Sequence, residues 1–553
     1  MLSKRGFSRA ALCVPALIVV AAMVGAVWAP APCRADAAIW IKTSSPRSVT
    51  GQDDLAQFKY LASGVGWEFE PTAETAADLK RVGIQTIRCI NVEPMTGHFD
   101  TDGKFILEQA NSRLDWHLDA CRTVGAVPHV VIANAFPDAL RVKPEDVTDP
   151  AFKKLVSEGE YGPTDWAKYR SYCEVYFEYV MVTKCFTNAE FEVGNEPEGG
   201  ALLPMPPRPS PGSRAMYEAY FNQYKNIAEA AVDFEQAHPG LHVTLGGPAL
   251  AGPFTFRFGD FNWGPRFVRD CAEQHVQLDF FSWHSYGNHS SLDGEYSAIY
   301  PSFTGQMREY QAAIDKYSPG LPTEITEWGP NYNTGTTDLS AANADNVGAA
   351  WGAAFLNTML SCGVRKALFL VTTDLRQQES GQWVDNWGWD SLFLDPAVFG
   401  GKSYPKPIFH LFEMVSRLEG HRVEATRGGG TVNCFVSADP EQRKVTMLVW
   451  NFGAVFPEGG VYQEKAVAEK TQIRVRDAGD FFHSPQVRVE AWQINGDTDN
   501  LYKLLTTGVA PDENNTAMAQ LPAATAKIDQ GALNYQMVLP PSSVSLVVLT
   551  PAS

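Results

Sequence analysis

Ser63-Gly64-Val65-Gly66-Trp67 is the stretch whose reading decides the fold. It is short, β-rich and followed by a helix-like segment, so it opens either a doubly wound sheet or a (β/α)8 barrel. A doubly wound sheet would normally carry a glycine-rich phosphate loop after its first strand. Here Gly64-Val65-Gly66 runs into Trp67 with no third glycine, and that fingerprint fails. Working outward, seven more β-rich runs follow: Gln85–Asn91, Val127–Ala133, Ala189–Asn195, His242–Gly247, Leu278–His284, Pro322–Glu327 and Lys366–Thr372. Helix-like stretches lie between them, among them Ala73–Val82, Ser112–Val124, Asp165–Val182, Tyr217–Gln236, Gly305–Tyr317 and Ala341–Ser361. Eight strands, each followed by a helix or a long loop, is the count of a (β/α)8 TIM barrel, an α/β fold.

After about Leu418 the pattern changes. Short β-runs split by Gly, Pro, Asp and Asn take over: Thr431–Ala438, Lys444–Trp450, Thr471–Val475, Gln486–Ile494 and Val544–Leu549. Helical periodicity is almost absent, which predicts an accessory antiparallel β-sandwich. Ile39–Gln52 is also strand-like and can add a strand to that sandwich, making the small domain discontinuous. The expected organisation is a signal peptide over 1–37, an N-terminal strand segment over 38–58, the barrel over 59–418 and the sandwich over 419–553. Proline-rich Leu203–Pro211 reads as a surface loop near the cleft mouth.

The chain of 553 residues has 45 basic and 63 acidic side chains, a formal charge of −18. That balance argues against a nucleic-acid partner, which needs a basic surface. With 45% hydrophobic and 20% charged residues, disordered and collagen-like classes are excluded. The 14 Trp, 19 Tyr and 31 Phe suit a large core, and equally a cleft in which rings stack on sugars. Lys4, Arg5 and Arg9, the apolar run Ala10 to Ala29 and the small-residue site Ala35-Asp36-Ala37 have the build of a cleavable secretory signal. The expectation is a secreted or periplasmic protein with no stable membrane insertion after cleavage. Cleavage after Ala37 lowers the cysteines from 9 to 7, scattered without paired spacing. That is neither a disulfide framework nor a zinc cluster, although Cys173 and Cys185 could pair.

Reactive residues of a barrel sit at the C-terminal ends of its strands. The fourth candidate strand ends Glu192-Val193-Gly194-Asn195-Glu196-Pro197, and the seventh ends Glu324-Ile325-Thr326-Glu327-Trp328-Gly329. Opposed carboxyl groups at two strand ends can cleave a glycosidic bond, one protonating the leaving oxygen and the other attacking the anomeric carbon. Alternation along the seventh strand predicts that Glu324 and Glu327 face opposite sides, Glu327 the mouth and Glu324 the surrounding helices. Gln382-Trp383-Val384-Asp385-Asn386-Trp387-Gly388-Trp389-Asp390, after the eighth strand, suggests a stacking platform for sugars, with Trp387 the chosen ring and at least one Trp anchoring the loop. Trp67 and Glu68, after the first strand, are further cleft candidates. No phosphate cradle, Ser-His-Asp order or metal-ligand cluster stands out, so no cofactor and no metal are expected.

From about Gly64 to Leu418 the chain resembles glycoside hydrolase family 39, among the clan-A barrels that retain anomeric configuration. The resemblance rests on Asp165-Trp166-Ala167-Lys168, Asn195-Glu196-Pro197, Gly246-Gly247-Pro248-Ala249, the run Asp279 to Gly287 through Trp283-His284-Ser285-Tyr286, Ile325-Thr326-Glu327-Trp328 and Lys406-Pro407, in order. It implies that Glu196 is the general acid/base and Glu327 the nucleophile. The acid needs a raised pKa, and the nucleophile must stay ionised. It further implies that Asn195 binds the sugar hydroxyl beside the anomeric carbon, Arg88 keeps Glu327 ionised, Tyr286 donates to Glu327, and His284 lines the sugar site. The family's usual Arg-x-His on the second strand is here Arg88-Cys89-Ile90-Asn91, so Asn91 stands in for the histidine. The implied substrates are β-xylosides or related oligosaccharides and polysaccharides. The alternatives are an endo-acting exopolysaccharide hydrolase of the same fold and a non-catalytic polysaccharide-binding protein.

Overall fold

A computed structural model describes residues 34–552 apart from 49–52, 68–71, 91–93, 133–135, 144, 146, 149, 151–152, 154–162, 200–213, 252–261, 289–290, 293–301, 380–381, 385 and 457–459. The expected signal core, Glu68, Asn91 and the Leu203–Pro211 loop lie outside the described residues. Eight parallel strands close into a barrel: Gly64–Trp67, Thr86–Cys89, Val127–Ile132, Glu190–Val193, Thr244–Leu250, Phe280–Tyr286, Thr323–Gly329 and Lys366–Phe369. The glycines of the first strand serve this closure. A Cβ on Gly66 would fall 2.0 Å from the Leu370 carbonyl oxygen, and one on Gly64 2.5 Å from that of Ala367. Only bare backbone lets the first strand pair with the eighth, Leu368 opposite Gly64.

The helices around the barrel follow capping chemistry. Asn111, Asp165 and Asp345 each accept two backbone N–H groups at the start of Ser112–Val124, Trp166–Phe177 and Asn346–Ser361. Apolar faces of these helices bury against the strands: Trp328 points outward and packs among Trp351, Phe355, Phe369 and Phe412. Elements without a counterpart in the sequence reading include the helix Asp54–Leu61, which begins inside the expected strand segment 38–58, the hairpin Thr96–Phe99/Phe105–Gln109 and the helix Trp263–Glu273.

The seventh strand departs from simple alternation. Between Ile325 and Trp328 it advances three residues while the eighth advances two, and between Ile325 and Glu327 two while the sixth advances one. This bulge adds one residue and resets the facing. Glu324 and Glu327 therefore both point into the barrel, correcting the expectation that Glu324 faces the helices. Glu324 lies below, ion-paired to Arg365, with Lys366 Nζ at 3.7 Å and His129 at 3.8 Å.

Beyond the barrel the strands are antiparallel as expected, but the two sheets of the expected sandwich join at both edges. His421–Gly428 pairs with Val432–Asp439 at its start and with the N-terminal strand Arg34–Pro46 over the rest. Gln486–Ile494 pairs with both Ala524–Asp529 and Ser543–Pro551. The result is a closed ring with its own core, including Ile39, Ile41, Val436, Met447, Ile473 and Val547. Arg34–Pro46 enters it between His421–Gly428 and, in parallel, Glu469–Val475, with Ala37 already buried. The ring packs on the barrel through Phe435 stacked 4.2 Å from Phe58, and through Arg422, 2.9 Å from Asp54. Cys173 and Cys185 are free thiols, as are the other described cysteines.

Candidate active site

Arg88 organises the site. It ends the second strand, points into the barrel and is fully buried. Its Nε donates to Glu192 Oε2 at 2.8 Å, its Nη1 to Glu327 Oε1 at 2.6 Å and its Nη2 to Asn195 Oδ1 at 2.8 Å. Burial works against the Arg88 cation, but the charges of Glu192 and Glu327 outweigh it and hold the pKa above the usual arginine value. Burial likewise works against the Glu192 anion, and the charge of Arg88 with the hydrogen bond of His129 holds it well below the carboxylate range. Because arginine only donates, Asn195 is fixed with its oxygen inward, which leaves its amide nitrogen to donate outward.

Two strands carry the remaining groups. Tyr286, at the end of the sixth, donates to Glu327 Oε2 at 2.7 Å. Burial and then the Glu327 charge push the phenol far up, so it stays a donor. Two residues earlier, His284 places its Nδ1 3.0 Å from Glu196 Oε1 and 3.2 Å from Glu327 Oε2. One oxygen of each glutamate and His284 Nδ1 all lie within 4.8 Å of one another. Glu196 is reached through Gly194 at φ +92°, where a Cβ would meet the Tyr220 ring at 2.9 Å, and itself sits at φ +50°. Its side chain is 41% exposed and that of Glu327 9%, so one carboxylate faces the opening and the other the floor.

Such a pair can serve as acid and nucleophile at short range. The free site corrects one expectation about it. Burial pushes the Glu196 carboxyl up, but the hydrogen bond and charge of His284, then the charge of Arg88, bring it below the ordinary value. Glu196, His284 and Glu327 could together ligate a cation, as could His129, Glu190 and Glu324 beneath them. In both groups protein cations already fill that role: Arg88 beside Glu327, and Lys366 with Arg365 beside Glu190 and Glu324.

Trp387 is corrected. It is 8% exposed, packs edge-on to Tyr502 at 5.4 Å and shares a cluster with Ala344, Leu394 and Leu501. Its face is spent on anchoring the loop, held also by Lys406, which donates to the Trp387 and Trp389 carbonyl oxygens. Trp389 is the half-buried ring and packs against Tyr286, Ile90, Leu370 and Val371. Trp387→Ala should therefore destabilise the protein by about 3–5 kcal/mol in denaturant titration. Trp389→Ala should leave stability nearer the parent and raise KM for a bound sugar. A reversed pattern would return the platform to Trp387.

The sequence reading missed Glu192, Glu198 and Asp390. Glu192 and Glu198 are visible only as acidic residues flanking Asn195-Glu196-Pro197, a local signal that names no partner. Asp390 is fully buried and fills the space a Cβ on Gly329 would take, 2.3 Å from its Cγ.

The sequence model described as glycosyl hydrolases family 39 matches residues 188–479. A beta-xylosidase of Geobacillus stearothermophilus is 24% identical over 245 residues, which is 39% of this chain and 42% of that protein, so the match spans less than half of the relative. Among solved structures, a GH39 enzyme from Xanthomonas axonopodis pv. citri superposes with a TM-score of 0.67 at 18% identity, covering 94% of this chain and 98% of that one. A monomeric beta-xylosidase from Caulobacter crescentus CB15 gives a TM-score of 0.64 at 17% identity, covering 93% and 100%.

Proposed function

The chain belongs to glycosyl hydrolases family 39, and from that premise we propose that it is an exported, retaining glycoside hydrolase that cleaves β-glycosidic bonds by double displacement. The observation that carries the reading is that Glu196 and Glu327, at the ends of the fourth and seventh strands, bring one carboxylate oxygen each within 4.8 Å of the other. That separation suits direct attack and leaves too little room for the intervening water of an inverting enzyme, whose carboxyls stand about 6.5–9.5 Å apart.

In the first step Glu196 gives its proton to the glycosidic oxygen as the bond to the anomeric carbon breaks, and Glu327 forms an ester with that carbon. Glu196, now a base, takes a proton from water, which attacks the same carbon and releases Glu327. His284 Nδ1, 3.0 Å from Glu196 Oε1, fixes the orientation of the carboxyl that delivers the proton. Arg88 and Tyr286 hold one Glu327 oxygen each and fix the angle of attack. The outward amide of Asn195 is placed to donate to the hydroxyl beside the reacting carbon.

A β-xyloside-like substrate is favoured by the two beta-xylosidases among the relatives. Export is supported by the basic, apolar and small-residue order of the first 37 residues. Assay of the purified protein against aryl β-xylosides, β-glucosides, β-galactosides and plant or bacterial polysaccharides tests the reading. Turnover of an aryl β-glycoside that is lost in Glu196→Ala on a poor leaving group supports it. Polysaccharide binding without turnover of any of these would assign the chain to the non-catalytic class.

A further inference from the structure

Behind Glu196 lies a second glutamate that the double displacement does not use. Glu198 sits on the short 3-10 turn Pro197–Gly199 and is fully buried. Its Oε1 accepts the Ala251 N–H at 2.6 Å, just past the fifth strand. The Glu196 N–H donates to Ala249 O at 2.8 Å, on the same strand end. Two bonds thus tie one turn to one neighbouring strand, and between their anchor points the chain passes through left-handed backbone at both Glu196, φ +50°, and Ala249, φ +53°. Left-handed conformations of residues other than glycine are costly and persist only where the surroundings impose them.

We propose that Glu198 is a positioning residue for the acid/base: its carboxyl clamps the strained turn to the fifth strand and so aims Glu196 at the leaving-group oxygen. This rests on the two-glutamate reading above. Among the described residues, a buried anion there has no cation to pair with. The titratable groups facing it are Glu196 on its own turn and Tyr220 on the following helix, whose hydroxyl is committed to the Val193 carbonyl oxygen at 2.6 Å. Among the described residues Glu198 Oε2 has no hydrogen-bond partner. Burial and then the Glu196 charge raise the Glu198 pKa to about 8, so the clamp is a neutral acid at neutral pH. Above about 8 it ionises beside Glu196, and the turn it holds loosens.

The test uses the full-length enzyme and two aryl β-glycosides, one with a leaving group that needs protonation and one activated enough to depart without it. Glu198→Ala should lower kcat/KM on the first by roughly 10- to 100-fold, part of the about 10^2- to 10^4-fold that general acid catalysis supplies, while kcat/KM on the activated substrate stays within about threefold of the parent, because the later water attack that also uses Glu196 does not enter that ratio. Glu198→Gln keeps the Ala251 contact and cannot ionise. It should retain activity on both substrates and lack the loss of kcat/KM that the parent shows as pH rises through about 8. Equal losses on both substrates for Glu198→Ala, or an unchanged alkaline limb in Glu198→Gln, would overturn the proposal. If Glu198→Ala fails to fold, the pH profile of Glu198→Gln decides alone. Glu196→Ala serves as reference: if it too shows no leaving-group dependence, the acid/base assignment fails first, and otherwise only the role of Glu198 does.

Discussion

Glu327→Ala should bind substrate and turn it over at least about 10^4-fold more slowly than the parent, the scale of loss when a covalent nucleophile is removed. Its fold should survive, because removing the carboxylate leaves Arg88 still paired with Glu192 at 2.7 Å and hydrogen-bonded to Asn195. Added azide should restore product from an activated aryl glycoside. A small anion fits the space vacated between Arg88 and Tyr286, and attack from there gives a glycosyl azide of inverted configuration. Glu324→Ala should show no such rescue. Its carboxylate also faces the interior, but one layer deeper, within reach of Arg365, Lys366 and His129, where no sugar can approach. Rescue of Glu324→Ala with inversion, together with full activity in Glu327→Ala, would mean that the bulge has been misassigned.

Arg88→Met should be the most destabilising single change in the site and should abolish activity. It takes the arginine partner from the buried Glu192 and Glu327, and losing one partner of a buried ion pair costs about 3–5 kcal/mol. Denaturant titration at neutral pH measures this, and a midpoint equal to the parent's would refute it. The pH dependence has a definite sign. Glu192 is held below the carboxylate range in the folded protein, so its pairing contributes stability above the unfolded carboxylate pKa and loses it as pH falls through the folded value. The gap between parent and Arg88→Met should therefore be widest at neutral pH and narrow under acid. Adding Glu192→Gln to Arg88→Met should recover part of the stability and none of the activity.

The barrel was legible because each strand is a compact apolar run and most are followed by a periodic helix. The helix Trp263–Glu273 was missed although its buried Trp263, Phe267, Val268 and Cys271 recur at helical spacing, so the signal was there to be read. The ring beyond the barrel was legible as antiparallel strands. Its closure depends on corner strands that pair with different neighbours along their length, and no local pattern encodes that. The facing of Glu324 was misjudged because alternation assumes an unbroken pleat, whereas one extra residue near Thr326 shifts the register. Trp387 and Trp389 are two positions apart in one aromatic stretch. Which of them anchors and which lines a surface is set by Tyr502, more than a hundred residues away, and by Tyr286 on the sixth strand. Arg88 shows the same limit. Its place at a strand end was readable, but its sharing among Glu192, Glu327 and Asn195 exists only once the barrel closes.

The central claim is that Glu327 attacks the anomeric carbon directly, with one Glu196 oxygen within 4.8 Å of one of its own. The stereochemistry of the first product tests it most directly. Proton NMR during the first turnovers of an aryl β-xyloside, or of whichever aryl β-glycoside proves to be the substrate, distinguishes the two anomers before they equilibrate. The account predicts that the β-anomer appears first and the α-anomer only later, by mutarotation. An α-anomer formed first would mean a single displacement by water, and would contradict the roles given to both glutamates.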